Sequence, residues 1–247
     1  MIDMKQYEAV IKVMKDNGGF ATLGYLYQNV LRIKKCEWKT KTPFASIRRI
    51  VQDNRFFFKI KPGLWALKSY KNKLPFDIYP QHEFGKSEKE EFDHSYYQGL
   101  LVEIGNLKKF ETFVPYQDKN KKYLGRELNS ITSIKKFYEF SYDYIVKKAQ
   151  TIDVSWFNRR KIPVYLFEIE YSTNIQNSLL KFVELQDFNS RFFIVADGIR
   201  KKEFEVKISS SAFSEIKKKV RFMDYNKLSE WHSRASEIVS LETNFII

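Results

Sequence analysis

The sequence predicts an α/β chain in two parts: three helices and a β-hairpin, then a domain whose mixed β-sheet is flanked by helices. Three observations carry that reading. Apolar residues recur at helical spacing through the first 51 positions, then give way to two short runs, Phe56-Phe57-Phe58-Lys59-Ile60 and Leu64-Trp65-Ala66-Leu67, around Lys61-Pro62-Gly63. The charged stretch QHEFGKSEKEEFDH, residues 81–94, follows a proline-bracketed segment and divides the chain. Beyond it, short apolar strands alternate with helical patterns, as in an α/β domain.

The 247 residues are enough for two domains, and 43% hydrophobic content with 17% aromatics supplies both cores, so the 30% charged residues do not signal disorder. The predicted division is a first domain over 1–80, a linker over 81–93 and a second domain over 94–247. The net charge of +13 is unevenly spread. Residues 1–80 hold 16 Lys and Arg against 6 Asp and Glu, and the remainder 27 against 24. A concentrated positive field suits a phosphate backbone, because each neutralised phosphate releases counterions. The single Cys36 excludes an intramolecular disulfide. The start MIDMKQYEAV has no secretory character, and no segment approaches the roughly 20 apolar residues of a membrane span. A soluble, cytoplasmic chain with no membrane partner is expected.

In the first part, Tyr7, Val10, Ile11, Val13 and Met14 mark one helix, stopped by Gly18-Gly19. A second is predicted over 22–33, with Thr22 as N-cap and Leu23, Leu26, Val30 and Ile33 inward. A third opens on Thr42 as cap and Pro43 at the first helical position, which needs no N–H. Its inner face is Phe44, Ile47, Ile50 and Val51. Three helices followed by a hairpin is the order of a winged helix.

The stretches TPFASIRRIV and FFKIKPGLWAL resemble the HARE-type winged helix-turn-helix, over residues 7–67. That resemblance implies DNA binding through the third helix and the hairpin. Ser46, Arg48 and Arg49 point away from the third helix's apolar face, where an arginine can pair with guanine O6 and N7 in a major groove. Lys39, Lys41, Lys59 and Lys61 flank it as phosphate contacts. A winged helix that only joins proteins is the alternative.

After the linker, Tyr97, Leu100, Leu101, Ile104 and Leu107 describe an amphipathic helix carrying Glu103. Strands are predicted at 110–115, 151–157, 164–170, 191–197 and 220–225. A helix is placed over 175–186, and a last one from about Lys227. In VYLFEIE, residues 164–170, alternation sends Glu168 and Glu170 to one face and Tyr165, Phe167 and Ile169 to the other. In TIDVSWF, residues 151–157, Asp153 points opposite to Ile152, Val154 and Trp156. A hairpin turn over Asn158 to Pro163 sets Asp153 across from Glu168. Three converging carboxylates need a positive partner. Oxygen ligands without His or Cys suit a hard divalent cation, Mg2+, with Mn2+ able to substitute.

Asp153, then Glu168-Ile169-Glu170 on the next strand, after a helix bearing Glu, resembles the PD-(D/E)XK nuclease superfamily, and most closely its restriction endonucleases. The stretch FEIEYSTNIQNSLLKFVEL looks like the motif strand and following helix of those enzymes, and the likeness spans about 94–232. It implies a restriction-endonuclease-like fold and a Mg2+-dependent endonuclease acting on double-stranded DNA, without a small-molecule cofactor and as a homodimer on two-fold sites. It further implies that Asp153 and Glu168 bind the metal and that the carbonyl of Ile169 adds a ligand. Glu170 falls where the family has Lys, and Lys181 on the next helix is the candidate substitute. Glu103 matches the acidic residue of the first helix. Ser172-Thr173 read either as phosphate contacts or as caps of the next helix. His94 reads as a cap or linker residue, and His82 and His232 form no ligand spacing. A DNA-binding regulator without catalysis, and a nuclease for modified or branched DNA, are the competing readings.

Overall fold

The computed structural model describes residues 4–79 and 86–246. The chain forms two compact units, Met1–Gln81 with Ser229–Ile247, and His82–Leu228. In the first, α1 (Gln6–Asp16) ends at Gly18 and Gly19, both at positive φ (80° and 91°), a conformation glycine adopts without steric penalty. A short β1 (Phe20–Thr22) leads into α2 (Leu23–Asn29), which Thr22 caps by accepting the Tyr25 N–H at 3.1 Å. The predicted second helix is shorter than expected, tightening into a 3-10 turn at Val30–Arg32. Next, α3 (Pro43–Ile50) starts on its proline, although the Thr42 side chain makes no capping bond. The hairpin β2 (Phe57–Lys61) and β3 (Leu64–Leu67) forms as predicted, and β1 joins it in a three-stranded sheet ordered β1-β3-β2. Val10, Met14, Leu26, Val30, Ile47, Val51 and Phe57 fill the core of this unit.

The second unit opens with α4 (Lys86–Leu107). The predicted linker over 81–93 is therefore helix from residue 86, and its residues 81–85 lie outside the described ones. Lys, Glu and Ser in that run are good enough helix formers for a helix with a wet face, which composition alone reads as linker. Then come β4 (Glu111–Phe113), a small hairpin of β5 (Lys122–Tyr123) and β6 (Arg126–Glu127), α5 (Leu128–Ile131) and α6 (Asp143–Ala149). The motif strands follow as β7 (Val154–Phe157) and β8 (Pro163–Glu170), then α7 (Ile175–Val183), β9 (Arg191–Ala196), α8 (Lys201–Ile208) and β10 (Val220–Asp224). The last helix, α9 (Tyr225–Ile246), leaves the second unit after Leu228, so its greater part belongs with the first and not with the second domain as predicted. There it lies so close to α2 that a Cβ on Gly24 would stand 2.4 Å from Ser236 Oγ.

The sheet of the second unit is mixed, ordered β10-β9-β8-β7-β4. β10, β9 and β8 run parallel, and β8, β7 and β4 antiparallel. The two parallel steps are crossed by α7 and α8, and the antiparallel step from β7 to β8 by a short turn, which follows from the length a parallel crossover needs. Leu166, Phe192 and Ile194 form a core with Leu179 and Phe182 of α7 and Phe204 and Ile208 of α8. Trp156, Phe167 and Phe193 line up their rings on neighbouring strands. There α4 approaches closely: a Cβ on Gly105 would stand 2.8 Å from the Trp156 indole nitrogen, and one on Gly99 2.0 Å from the Tyr123 ring. The result places the carboxyl end of β8 between α7 and the start of α4.

Candidate active site

Alternation along β8 puts Glu168 and Glu170 on the face toward α7, where both lie against the Ser178 hydroxyl and share its one donated hydrogen. Pairing of Val154 with Phe167 sets Asp153, one residue earlier, across from Glu168. Asp153 also takes the Ile169 N–H on its Oδ2 at 2.7 Å, so a side chain continues the ladder that the strand has left. Lys181, three residues beyond Ser178 on α7, donates to both oxygens of Glu168 at 2.9 Å and to the Thr151 carbonyl at 3.1 Å. The hydroxyl of Thr173 donates to Glu170. Asp153, Glu168, Ile169, Glu170, Ser172, Thr173 and Lys181 thus line one pocket of about 510 Å³.

The electrostatics follow from burial. Glu168 and Glu170 are only 3% and 4% exposed. Burial first, and then the Asp153 charge, push Glu168 well above the usual glutamate range, against Lys181 and Ser178. Burial also works to raise Asp153, but His94 and the Ile169 N–H outweigh it and hold this carboxyl below its ordinary value. Burial lowers the Lys181 ammonium's hold on its proton, yet Glu168 more than restores it, and its pKa is raised. One carboxylate of the pair therefore carries charge easily and the other reluctantly, even with the Lys181 ammonium beside it.

Glu90, Glu91 and His94 of α4 complete the pocket, and none was read from the sequence as part of it. His94 lies with Nε2 3.1 Å from Asp153 Oδ2, a half-buried partner where a cap or linker residue was expected. Burial disfavours its charge, but Asp153 prevails and its pKa is raised. Its Nδ1 is buried without a hydrogen-bond partner among the described residues, as is Oε1 of Glu90, one turn earlier. Glu90 Oε2 accepts from Ser172 Oγ at 2.9 Å. The helical spacing of Glu90 and His94 was the available signal, hidden because the run 81–93 looked like a linker. Glu103, the expected helix carboxylate, is not brought to the pocket. It lies about 14 Å beyond His94 along α4, where it accepts from the Tyr123 hydroxyl at 2.9 Å and pairs with Arg126 at 2.9 Å. Asn174, and neither Ser172 nor Thr173, caps α7, accepting the Gln176 N–H.

The chemistry of the donor set fits a hard divalent cation: carboxylate oxygens, one of them unpartnered at Glu90, and no sulfur. Five carboxylates and two lysines line the pocket, so it is negative overall. No group of three or more His, Cys, Asp or Glu side chains among the described residues is already drawn up at ligating distances. The acidic oxygens face Lys181, Ser178 and Thr173 instead, and a cation that keeps several waters needs only one or two of them.

In the first unit, Arg49, Lys39, Lys41 and Lys59 are exposed, and Lys61 partly so. Lys39 pairs with Glu37 at 3.5 Å. Arg48 does not stand free as expected: its Nε donates to Tyr27 Oη at 3.2 Å, and its guanidinium lies 3.9 Å from Glu237 of α9. Ser46 Oγ donates back to the Thr42 carbonyl at 3.3 Å.

No helix of the described residues is long and apolar enough to cross a membrane. Residues 78–246 match the family model of the type II restriction enzyme NmeDI C-terminal domain. A curated relative, the type II restriction enzyme NmeDI of Neisseria meningitidis serogroup C, is 29% identical over 123 residues, which cover 45% of this chain and 35% of the relative. The chain therefore spans about a third of that relative's length. No solved structure matches.

Proposed function

The chain belongs to the family of the type II restriction enzyme NmeDI C-terminal domain, and from that premise we propose that it is a Mg2+-dependent restriction endonuclease of the PD-(D/E)XK type. It hydrolyses phosphodiester bonds of double-stranded DNA. The observation that carries this reading is the convergence of Asp153, Glu168, Glu170 and Lys181 in one pocket at the carboxyl end of β8, where the sheet changes from antiparallel to parallel. Crevices at the carboxyl ends of strands are where open α/β sheets bind ligands.

In this reading Asp153 and Glu168 hold the cation, with Glu90 rather than Glu103 as the helix carboxylate that reaches it and the Ile169 carbonyl as a further ligand. The cation supplies neutralisation of phosphodiester charge and activation of the attacking water. Lys181 takes the place of the lysine that Glu170 displaces from the motif strand. Its Nζ, held by Glu168 and the Thr151 carbonyl, is positioned to hold or deliver a proton. Glu170, bound to Ser178 and Thr173, shapes the strand end and the loop behind it.

The first unit is proposed as a winged-helix reader of duplex DNA. Its element order and its concentrated positive charge support that role, with Arg49 of α3 and Lys59 of the hairpin as exposed contacts. Two chains, one active centre each, would act on a two-fold site.

The test is incubation of plasmid and mapped linear DNA with the full chain in Mg2+, in Mn2+ and in EDTA. Discrete fragments with either cation and none with EDTA are expected. No cleavage of unmodified, modified or branched duplexes under any of these conditions refutes the endonuclease reading.

A further inference from the structure

The same pocket holds a charged system that the carboxylate centre does not use. Asp118, in the turn after β4, is 3% exposed, and a carboxylate buried so deeply is costly unless paired. It has two partners. Gln98 of α4 donates from Nε2 to its Oδ2 at 2.9 Å, and Lys121 Nζ lies 2.6 Å from its Oδ1. The fully buried Gln98 donates through the same Nε2 to the main-chain carbonyl of Asp153, at 3.0 Å. One amide thus joins the seat of Lys121 to the backbone at the head of β7.

The two lysines of the pocket are differently engaged. Lys181 is directed at Glu168 and the Thr151 carbonyl. Lys121 lines the pocket but is held by a carboxylate outside the reactive set, and its side chain is 28% exposed. An ammonium has three N–H donors, so one bond to Asp118 leaves two for another acceptor. A pocket lined by five carboxylates repels an anionic strand unless a cation stands apart from them. A lysine already held in place also loses less conformational freedom when it binds.

We propose that Lys121 binds a phosphate of the DNA strand entering the pocket, and that Asp118 and Gln98 are positioning residues that set it relative to Asp153. This inference rests on the endonuclease reading above. It assigns Lys121 to ground-state binding, since the carboxylate that holds it, Asp118, bonds to Gln98 and Lys121 and to none of the reactive carboxylates.

The experiment is steady-state cleavage of plasmid DNA in Mg2+ by the full chain and its Lys121→Ala, Lys121→Arg and Asp118→Asn variants, at several salt concentrations. For Lys121→Ala, KM rises about tenfold with kcat within about twofold, the size of one charge-assisted contact. Its salt slope falls by about one. Arginine restores most of the loss, and Asp118→Asn raises KM by a smaller factor. Lys121→Arg keeps a cation opposite the buried Asp118 and therefore folds even if Lys121→Ala or Asp118→Asn does not; melting temperatures verify folding. Unchanged KM and salt slope in a folded Lys121→Ala, a raised KM in Lys121→Arg as large as in Lys121→Ala, or a loss in kcat alone, overturn the inference while wild-type cleavage keeps the endonuclease reading. Absence of cleavage by the wild type overturns both.

Discussion

His94 Nε2 lies 3.1 Å from Asp153 Oδ2, the same oxygen that accepts the Ile169 N–H at 2.7 Å. One carboxylate oxygen therefore ties α4 to β8 and fixes how Asp153 faces the pocket. Partners of this kind around a ligating carboxylate are worth about 10- to 100-fold in affinity or activity. His94→Ala should lower kcat by about that factor. His94→Gln, whose amide can still donate to Asp153, should recover part of it. Equal losses in both variants would show that the imidazole matters for something other than this bond.

Removing the carboxylates separates cutting from binding. Asp153→Ala and Glu168→Ala should abolish cleavage, by a factor of about a thousand or more given the role assigned to the cation. Binding to duplex DNA, measured by fluorescence anisotropy, should change little. Retained cleavage in either variant refutes the site.

Glu90 and Glu103 lie on one helix and predict opposite results. Glu90→Gln should reduce cleavage and leave the melting temperature unchanged, because the amide oxygen can still accept from Ser172 and the other carboxylate oxygen, Oε1, has no hydrogen-bond partner to lose among the described residues. Glu103→Gln should cleave within about twofold of wild type and unfold more easily. Its carboxylate bonds to Tyr123 and Arg126 are worth about 1 to 3 kcal/mol. Kinetics and urea unfolding on the same preparations decide between them.

Gly99 should not tolerate alanine. A Cβ there would stand 2.0 Å from the Tyr123 ring, which is fully buried and cannot swing away. Gly99→Ala should lose about 1 to 3 kcal/mol in urea unfolding, the usual cost of overpacking, despite alanine's better helix propensity. A stabilised variant would mean that α4 lies further from β5.

The proposed DNA-binding role of the first unit can be probed by charge. Arg49→Ala should weaken duplex binding and lower its salt slope by about one. Arg48→Ala should act mainly on stability, because its guanidinium is bound to Tyr27 and faces Glu237. Equal effects on binding from both would show that Arg48 is released when DNA is present.

Much of this protein was legible in its sequence because local rules govern it. Period-two alternation put Glu168 and Glu170 on one face, and the short turn after Phe157 was enough to set Asp153 across from them. Gly18-Gly19, Thr22 and Pro43 marked helix ends by steric and capping preferences that need no tertiary partner. Lys181 followed from its place on the next helix. The sequence by itself therefore determined the strands of the main sheet, the faces of β7 and β8, and Asp153, Glu168 and Glu170 among the carboxylates.

Only the tertiary structure decided which end of α4 meets that set. Glu90, His94 and Glu103 all lie on one helix, and the choice rests on where Gly99 and Gly105 let it press against Tyr123 and Trp156. The same holds for Arg48 and α9, and for Gln98, which lies 20 residues from the Asp118 it bonds. Contacts of that kind depend on packing between distant elements, and no periodicity in the chain records them.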